Sequence, residues 1–111
     1  MSTLNFDALY HELKSGMETV AKDSLHDYED EAKTDGQHAL ADMKTNLQHW
    51  TQEVENGAMT TDDFAFLLKG EEALSKMVAL KEAGLAEVHI DQFRNGVVNM
   101  IVNTLTGFVK V

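Results

Sequence analysis

The sequence contains neither cysteine nor proline among its 111 residues. Without cysteine the chain can form no disulfide and no thiolate metal site. Small secreted domains usually depend on such cross-links. The first residues show neither the basic segment nor the apolar segment of a signal peptide. We therefore expect a cytoplasmic protein.

Basic residues are scarce as well, since nine lysines and arginines stand against 19 acids and give a net charge of −10. Residues 1–57 hold 12 acids and 4 bases, whereas residues 58–111 hold 7 and 5. Such a surface repels nucleic acid phosphates and anionic lipids, and it attracts basic partners. The most apolar stretch, residues 97–111, is too short and too polar to span a bilayer. We predict no nucleic acid and no membrane partner.

Apolar and small residues recur through the first half of the chain in steps of about 3.7 residues, the helical period. This pattern predicts one helix from about residue 4 to residue 56, ended by Asn56 and Gly57. At a rise of about 1.5 Å per residue it would be ~75 Å long and would need a partner along most of its length. The positions are Phe6, Tyr10, Leu13, Met17, Val20, Leu25, Tyr28, Ala32, Gly36, Leu40, Met43, Leu47, Trp50 and Val54.

A turn at residues 57–60 follows, and either Thr60 or Thr61 can cap the next helix. A connection of about four residues brings that helix back antiparallel. The sequence therefore predicts a single all-α domain, residues 1–111, folded as a long antiparallel helical hairpin. Its return arm runs from about residue 61 to residue 109.

The return arm changes its apolar face near His89 by roughly 170° on an ideal helix. One explanation, which we favour, is a kink or break at residues 84–91, with Gly84 ending one helix and Asp91 capping another. The alternative is a continuous helix that buries different faces against different neighbours.

A two-helix hairpin cannot cover both faces, so the pattern predicts self-association, most simply a homodimer that forms a four-helix bundle. The expected oligomer interface consists of the apolar residues after the change of face. These are Ile90, Phe93, Val97, Met100, Ile101, Leu105 and Phe108.

Two Asp-x-x-His pairs, Asp23–His26 and Asp35–His38, raise the question of a metal site. On an ideal helix the histidines lie more than about 100° from the apolar stripe, which is unsuitable for a buried metal site. The sequence contains no phosphate-binding loop and no dinucleotide motif, and helical spacing alone assembles no catalytic triad. We predict no metal, no cofactor and no catalytic residue. The four histidines concerned are His11, His26, His38 and His49.

Asp23, Asp27, Glu31 and Asp35 follow one another at four-residue spacing and would form an acidic row on the predicted first helix. Like charges at this spacing destabilise a helix by a few tenths of a kcal/mol per pair. The row is a solvated face, a docking strip for a basic partner, or a loose binding site for divalent cations.

Three hypotheses about function follow. The preferred one is a non-enzymatic helical oligomer that acts as an interaction or structural module. The first alternative is a small acidic antagonist, resembling an immunity protein in its action, that binds a basic partner. The second alternative is a helical bundle that binds a metal or an apolar ligand.

Overall fold

The computed structural model describes residues 5–109, and their regular secondary structure is helical throughout. This confirms the predicted all-α class. Among the described residues, no helix is long and apolar enough to cross a membrane. The elements are α1 (Phe6–Ser24), a 3-10 turn (His26–Tyr28), α2 (Glu29–Glu55), α3 (Thr61–Lys69), α4 (Glu72–Lys76), α5 (Val78–Glu82) and α6 (Glu87–Val109).

The prediction of one helix over residues 4–56 is wrong, because the chain leaves the helical path at Leu25. Leu25 has φ −134° and ψ 62°, and its side chain is buried. Around it, residues 23–28 are mostly Asp, Ser, His and Tyr, which have low helix propensity. The apolar spacing stays in phase across this point, so the period alone does not reveal the break.

After the break, α2 returns beside α1 in the opposite direction. The Gln37 side chain donates a hydrogen bond of 3.3 Å to the carbonyl oxygen of Lys14. Further along, the Lys44 ammonium lies 4.7 Å from the centre of the Tyr10 ring. The molecule is consequently only 48 Å long, although one continuous helix would measure ~75 Å.

The remaining helices complete a bundle of four antiparallel segments. The third segment runs antiparallel to α2. Near its start, the Phe64 ring centre lies 6.4 Å from that of Trp50, and near its end the Leu80 amide donates a hydrogen bond to Asp35. α6 then packs along α1. With a radius of gyration of 13.8 Å, the chain is about as compact as a single domain of this length.

The third segment consists of α3, α4 and α5 rather than one helix. Thr60 caps α3 in a capping box with Asp63, whose amide lies 3.0 Å from the Thr60 hydroxyl. α4 and α5 have five residues each and are separated by Met77. A further connection, residues 83–86 with Gly84 at φ +88°, leads to α6 and agrees with the predicted break near 84–91. The prediction that Asp91 caps the helix after the break is wrong, because α6 begins at Glu87 and contains Asp91.

The predicted oligomer interface requires a correction. Its residues Ile90, Phe93, Val97, Ile101 and Leu105 are all 0% exposed within this one chain. They belong to the chain's own core, because the break at Leu25 provides the extra helix that covers them. Of the other two, Met100 is half-buried next to Gly16 and Phe108 is 38% exposed. Self-association stays a prediction, but this face no longer requires it.

Candidate functional site

The four acids of the predicted row do not lie on one helix. Asp23 is exposed in the last turn of α1, and Asp27 is exposed in the 3-10 turn. Glu31 is half-buried in the first turn of α2. Asp35, one turn later, is buried. A docking strip formed by all four residues is therefore excluded by the fold, and only the first three remain accessible.

Asp35 has a structural task that the sequence analysis missed. Its Oδ1 accepts a hydrogen bond of 3.0 Å from the Ala79 amide, and its Oδ2 accepts one of 2.8 Å from the Leu80 amide. Both amides belong to the first turn of α5, where no intrahelical acceptor exists. The available signal was the position of Asp35 on the buried stripe beside Ala32 and Gly36, where a carboxylate requires partners.

The three accessible acids belong to a larger acidic end of the bundle. We define the acidic end as Asp23, Asp27, Glu29, Asp30 and Glu31, five acids within nine residues that include no lysine or arginine. Its members sit at the connection between α1 and α2. Glu29, Asp30 and Glu31 lie in the first turn of α2, where the helix dipole favours negative charge.

Two lysines neighbour the acidic end, because Lys22 of α1 and Lys33 of α2 line one cleft with Glu29. The Lys33 ammonium lies 3.2 Å from the Glu29 carboxylate, one turn earlier on α2. The hydrogen bond and the charge of Glu29 raise the pKa of Lys33. Lys33 thus neutralises Glu29 in part and leaves Asp27, Asp30 and Glu31 without an ion-pair partner among Lys and Arg in residues 5–109.

An open cavity of about 400 Å³ lies beside the acidic end. Its walls come from the α1–α2 connection and from the α5–α6 connection, which meet at the same end of the bundle. The lining combines apolar side chains with polar and charged ones, so it can contact both the aliphatic stem and the charged group of a basic side chain. It comprises Ser24, Leu25, His26, Asp27, Tyr28, Gly84, Leu85, Ala86 and His89.

The histidines do not assemble a metal site in the part of the chain that the structure describes. His11, His26, His38 and His49 are exposed, in agreement with their position off the apolar stripe. His26 Nδ1 is 3.6 Å from Asp27 Oδ1, and His49 Nε2 is 3.0 Å from Glu53 Oε1. Across residues 5–109, no group of three or more His, Asp or Glu side chains has the geometry to hold an ion.

An apolar groove lies far from the acidic end, about 30 Å further along α2. It encloses about 460 Å³ between Trp50 on α2 and Phe66 and Leu67 on α3. Phe66 is 77% exposed, the largest exposed fraction among the large hydrophobic residues described. Its exposure was not predictable from the sequence, because Phe66 stands next to Leu67 in an apolar run whose buried members cannot be distinguished by spacing.

Two surfaces therefore distinguish the described part of this molecule: the acidic end with its cavity, and the apolar groove at Phe66. The pattern of acids in the sequence predicts part of the first surface, and no pattern in the sequence predicts the second. No protein-family model, curated protein or solved structure matches the chain.

Proposed function

We propose that this chain is a non-enzymatic protein-interaction module that binds a basic partner through its acidic end. The observation that carries the proposal is the concentration of Asp23, Asp27, Glu29, Asp30 and Glu31 at one end of a compact bundle, next to a cavity that Asp27 lines. A basic segment of the partner would place an arginine or lysine side chain in the cavity and further cations against the carboxylates.

Electrostatics supports a binding role for this end. A surface with one sign of charge steers an oppositely charged partner and raises its association rate. Asp27, whose side chain is 92% exposed, has an ion-pair contact only with His26, at 3.6 Å, among the described residues, and can therefore pair with a partner's cations. Tyr28 and Leu25 on the cavity wall offer apolar contact to the aliphatic stem of the bound side chain.

The proposal is tested with a short fluorescent peptide in which arginine and glycine alternate, titrated with the protein and followed by anisotropy. The test variant neutralises the acidic end with Asp23→Asn, Asp27→Asn, Glu29→Gln, Asp30→Asn and Glu31→Gln. Each exposed ion pair between one of these five acids and the peptide contributes a few tenths of a kcal/mol, and the five together contribute more than about 1.4 kcal/mol. The affinity of the variant for the peptide should therefore fall about tenfold or more. Binding of the native chain should also weaken as salt increases.

A matched control removes the same charge elsewhere on exposed residues: Asp7→Asn, Glu12→Gln, Asp42→Asn, Asp62→Asn and Glu72→Gln. Its affinity should fall much less than that of the test variant. Equal losses in both variants would mean that only net charge attracts the peptide, and no binding by the native chain would contradict the proposal directly.

Self-association is a second candidate, favoured by the exposure of Phe66 beside the apolar groove. A second copy that covers this groove would give a particle of twice the 12.4 kDa chain mass in light scattering. Phe66→Ser should return the particle to one chain, whereas Val88→Thr, at another exposed apolar position, should not. A single-chain mass for the native protein throughout the micromolar range would refute this candidate.

A further inference from the structure

The junction between α4 and α5 holds a strained residue. Met77 has φ +36° and ψ +51°, the left-handed conformation that residues other than glycine rarely adopt, and it is 2% exposed. Such a conformation costs on the order of 1–3 kcal/mol and persists only where its surroundings enforce it. The two flanking helices cannot do so alone, because helices shorter than about 12 residues are marginal in water.

Asp35 of α2 provides one enforcing contact. Its two carboxylate oxygens accept the Ala79 and Leu80 amides at 3.0 and 2.8 Å, and Asp35 itself is 7% exposed. Met77, the residue that precedes α5, offers no side-chain cap. The N-terminus of α5 is therefore satisfied by a residue that lies 44 positions earlier in the chain.

Arg94 of α6 provides a second contact, on the other side of the junction. Its Nε donates a hydrogen bond of 2.6 Å to the carbonyl oxygen of Leu74, and its Nη2 donates one of 3.2 Å to that of Ser75. These carbonyl groups lie near the C-terminal end of α4, where intrahelical donors are missing. The junction is thus held from α2 on one side and from α6 on the other.

We infer that α4, Met77 and α5, which we call the strap, open as one unit while α1, α2, α3 and α6 stay folded, and that Asp35 is the latch that keeps the strap closed. Strain at Met77 and the shortness of both helices favour opening, and the bonds to Asp35 and Arg94 oppose it. Opening uncovers Leu74, Met77 and Leu80, all of which are at most 2% exposed when the strap is closed.

Native-state hydrogen exchange, read by mass spectrometry on peptides, tests the strap in the unaltered protein. Amides of residues 78–83 should exchange about tenfold or more faster than core amides of α1 and α6. Low concentrations of urea should accelerate the exchange of α1 and α6 while changing that of the strap little, because local opening exposes less surface than global unfolding. A strap that exchanges in step with α1 and α6 at every urea concentration would overturn the inference.

Substitution of Asp35 tests the latch. Asp35→Ala leaves the Ala79 and Leu80 amides without side-chain acceptors in the closed state. It therefore lowers the free energies of strap opening and of global unfolding alike, and the strap should exchange a further tenfold or so faster while staying ahead of α1 and α6 by about the same margin. Asp35→Asn keeps one acceptor oxygen, so its strap should exchange at a rate between those of the native protein and of Asp35→Ala. This second variant keeps the test possible if the alanine variant does not fold. Asp42→Asn, an exposed α2 residue beside the same strap, is the control and should change nothing. Faster exchange of α1 and α6 without faster exchange of the strap would show that the bonds to Asp35 persist when the strap opens, and that Asp35 is not the latch.

Discussion

The first, second and last helices of the bundle differ in construction from the third segment. α1, α2 and α6 are continuous helices of 19, 27 and 23 residues, and their facing sides are apolar. The third segment is divided into helices of nine, five and five residues. Polar side chains from its neighbours, chiefly Asp35 and Arg94, bind its interrupted backbone. Packing therefore maintains the long helices, whereas directed hydrogen bonds maintain the broken segment.

If this distinction is correct, loss of one polar side chain should affect the broken segment strongly. The largest effect in global stability is expected for Arg94→Gln. The Arg94 side chain is only 19% exposed and also pairs with Glu87, at 3.3 Å, and with Asp91. A hydrogen bond from a charged group contributes about 1.5–3 kcal/mol, so the free energy of unfolding should fall by about 2–3 kcal/mol. Urea titration followed by circular dichroism measures it.

Glu87→Gln is the control for this prediction. It removes one ion pair of Arg94 but leaves the bonds from Arg94 to the Leu74 and Ser75 carbonyls. Glu87 is 62% exposed, and exposed ion pairs contribute about 0.2–1 kcal/mol. If Glu87→Gln lowers the free energy of unfolding as much as Arg94→Gln does, the effect comes from the surface ion pair. The bonds of Arg94 to the α4–α5 junction would then contribute little to stability.

The same contrast explains which parts of the fold were predictable from sequence. The apolar stripe correctly indicated helices and most of the core in the first half, because burial imposes the helical period on each long helix. It could not reveal the end of α1 at Ser24, since Ala21, Leu25 and Tyr28 continue in phase around the turn. Because this break was not detected, the sequence predicted a hairpin instead of a bundle. It also predicted an oligomer interface, five of whose seven residues belong to the core of the single chain.

The acids of the candidate site were predictable from the sequence, whereas the features that depend on the tertiary fold were not. Asp23, Asp27 and Glu31 were identified as acids that could meet a basic partner, and they are accessible. Asp35 was placed with them because spacing cannot distinguish an exposed carboxylate from one that accepts amides of a helix 44 residues away. The cavity depends on two connections that only the tertiary fold brings together.

The long helices should instead be destabilised by a larger side chain where they approach each other closely. The expected change in the free energy of unfolding is smaller than for Arg94→Gln. A Cβ atom at Gly36 of α2 would lie 2.6 Å from Cγ of Met17, which is fully buried on α1. Gly36→Ala adds helix propensity of up to about 1 kcal/mol, whereas overpacking costs about 1–3 kcal/mol. The net result should be a destabilisation of at most about 2 kcal/mol in urea titration, with a downward shift of the melting temperature.

Gly107→Ala makes this prediction specific, because a Cβ atom there meets no atom within 4 Å and the residue is also helical. It gains the same kind of helix propensity without the contact, so it should stabilise the protein slightly. The difference between the two variants therefore isolates the steric cost at the α1–α2 contact. If both variants stabilise the protein equally, Met17 moves aside without cost, and Gly36 does not determine how closely α1 and α2 approach.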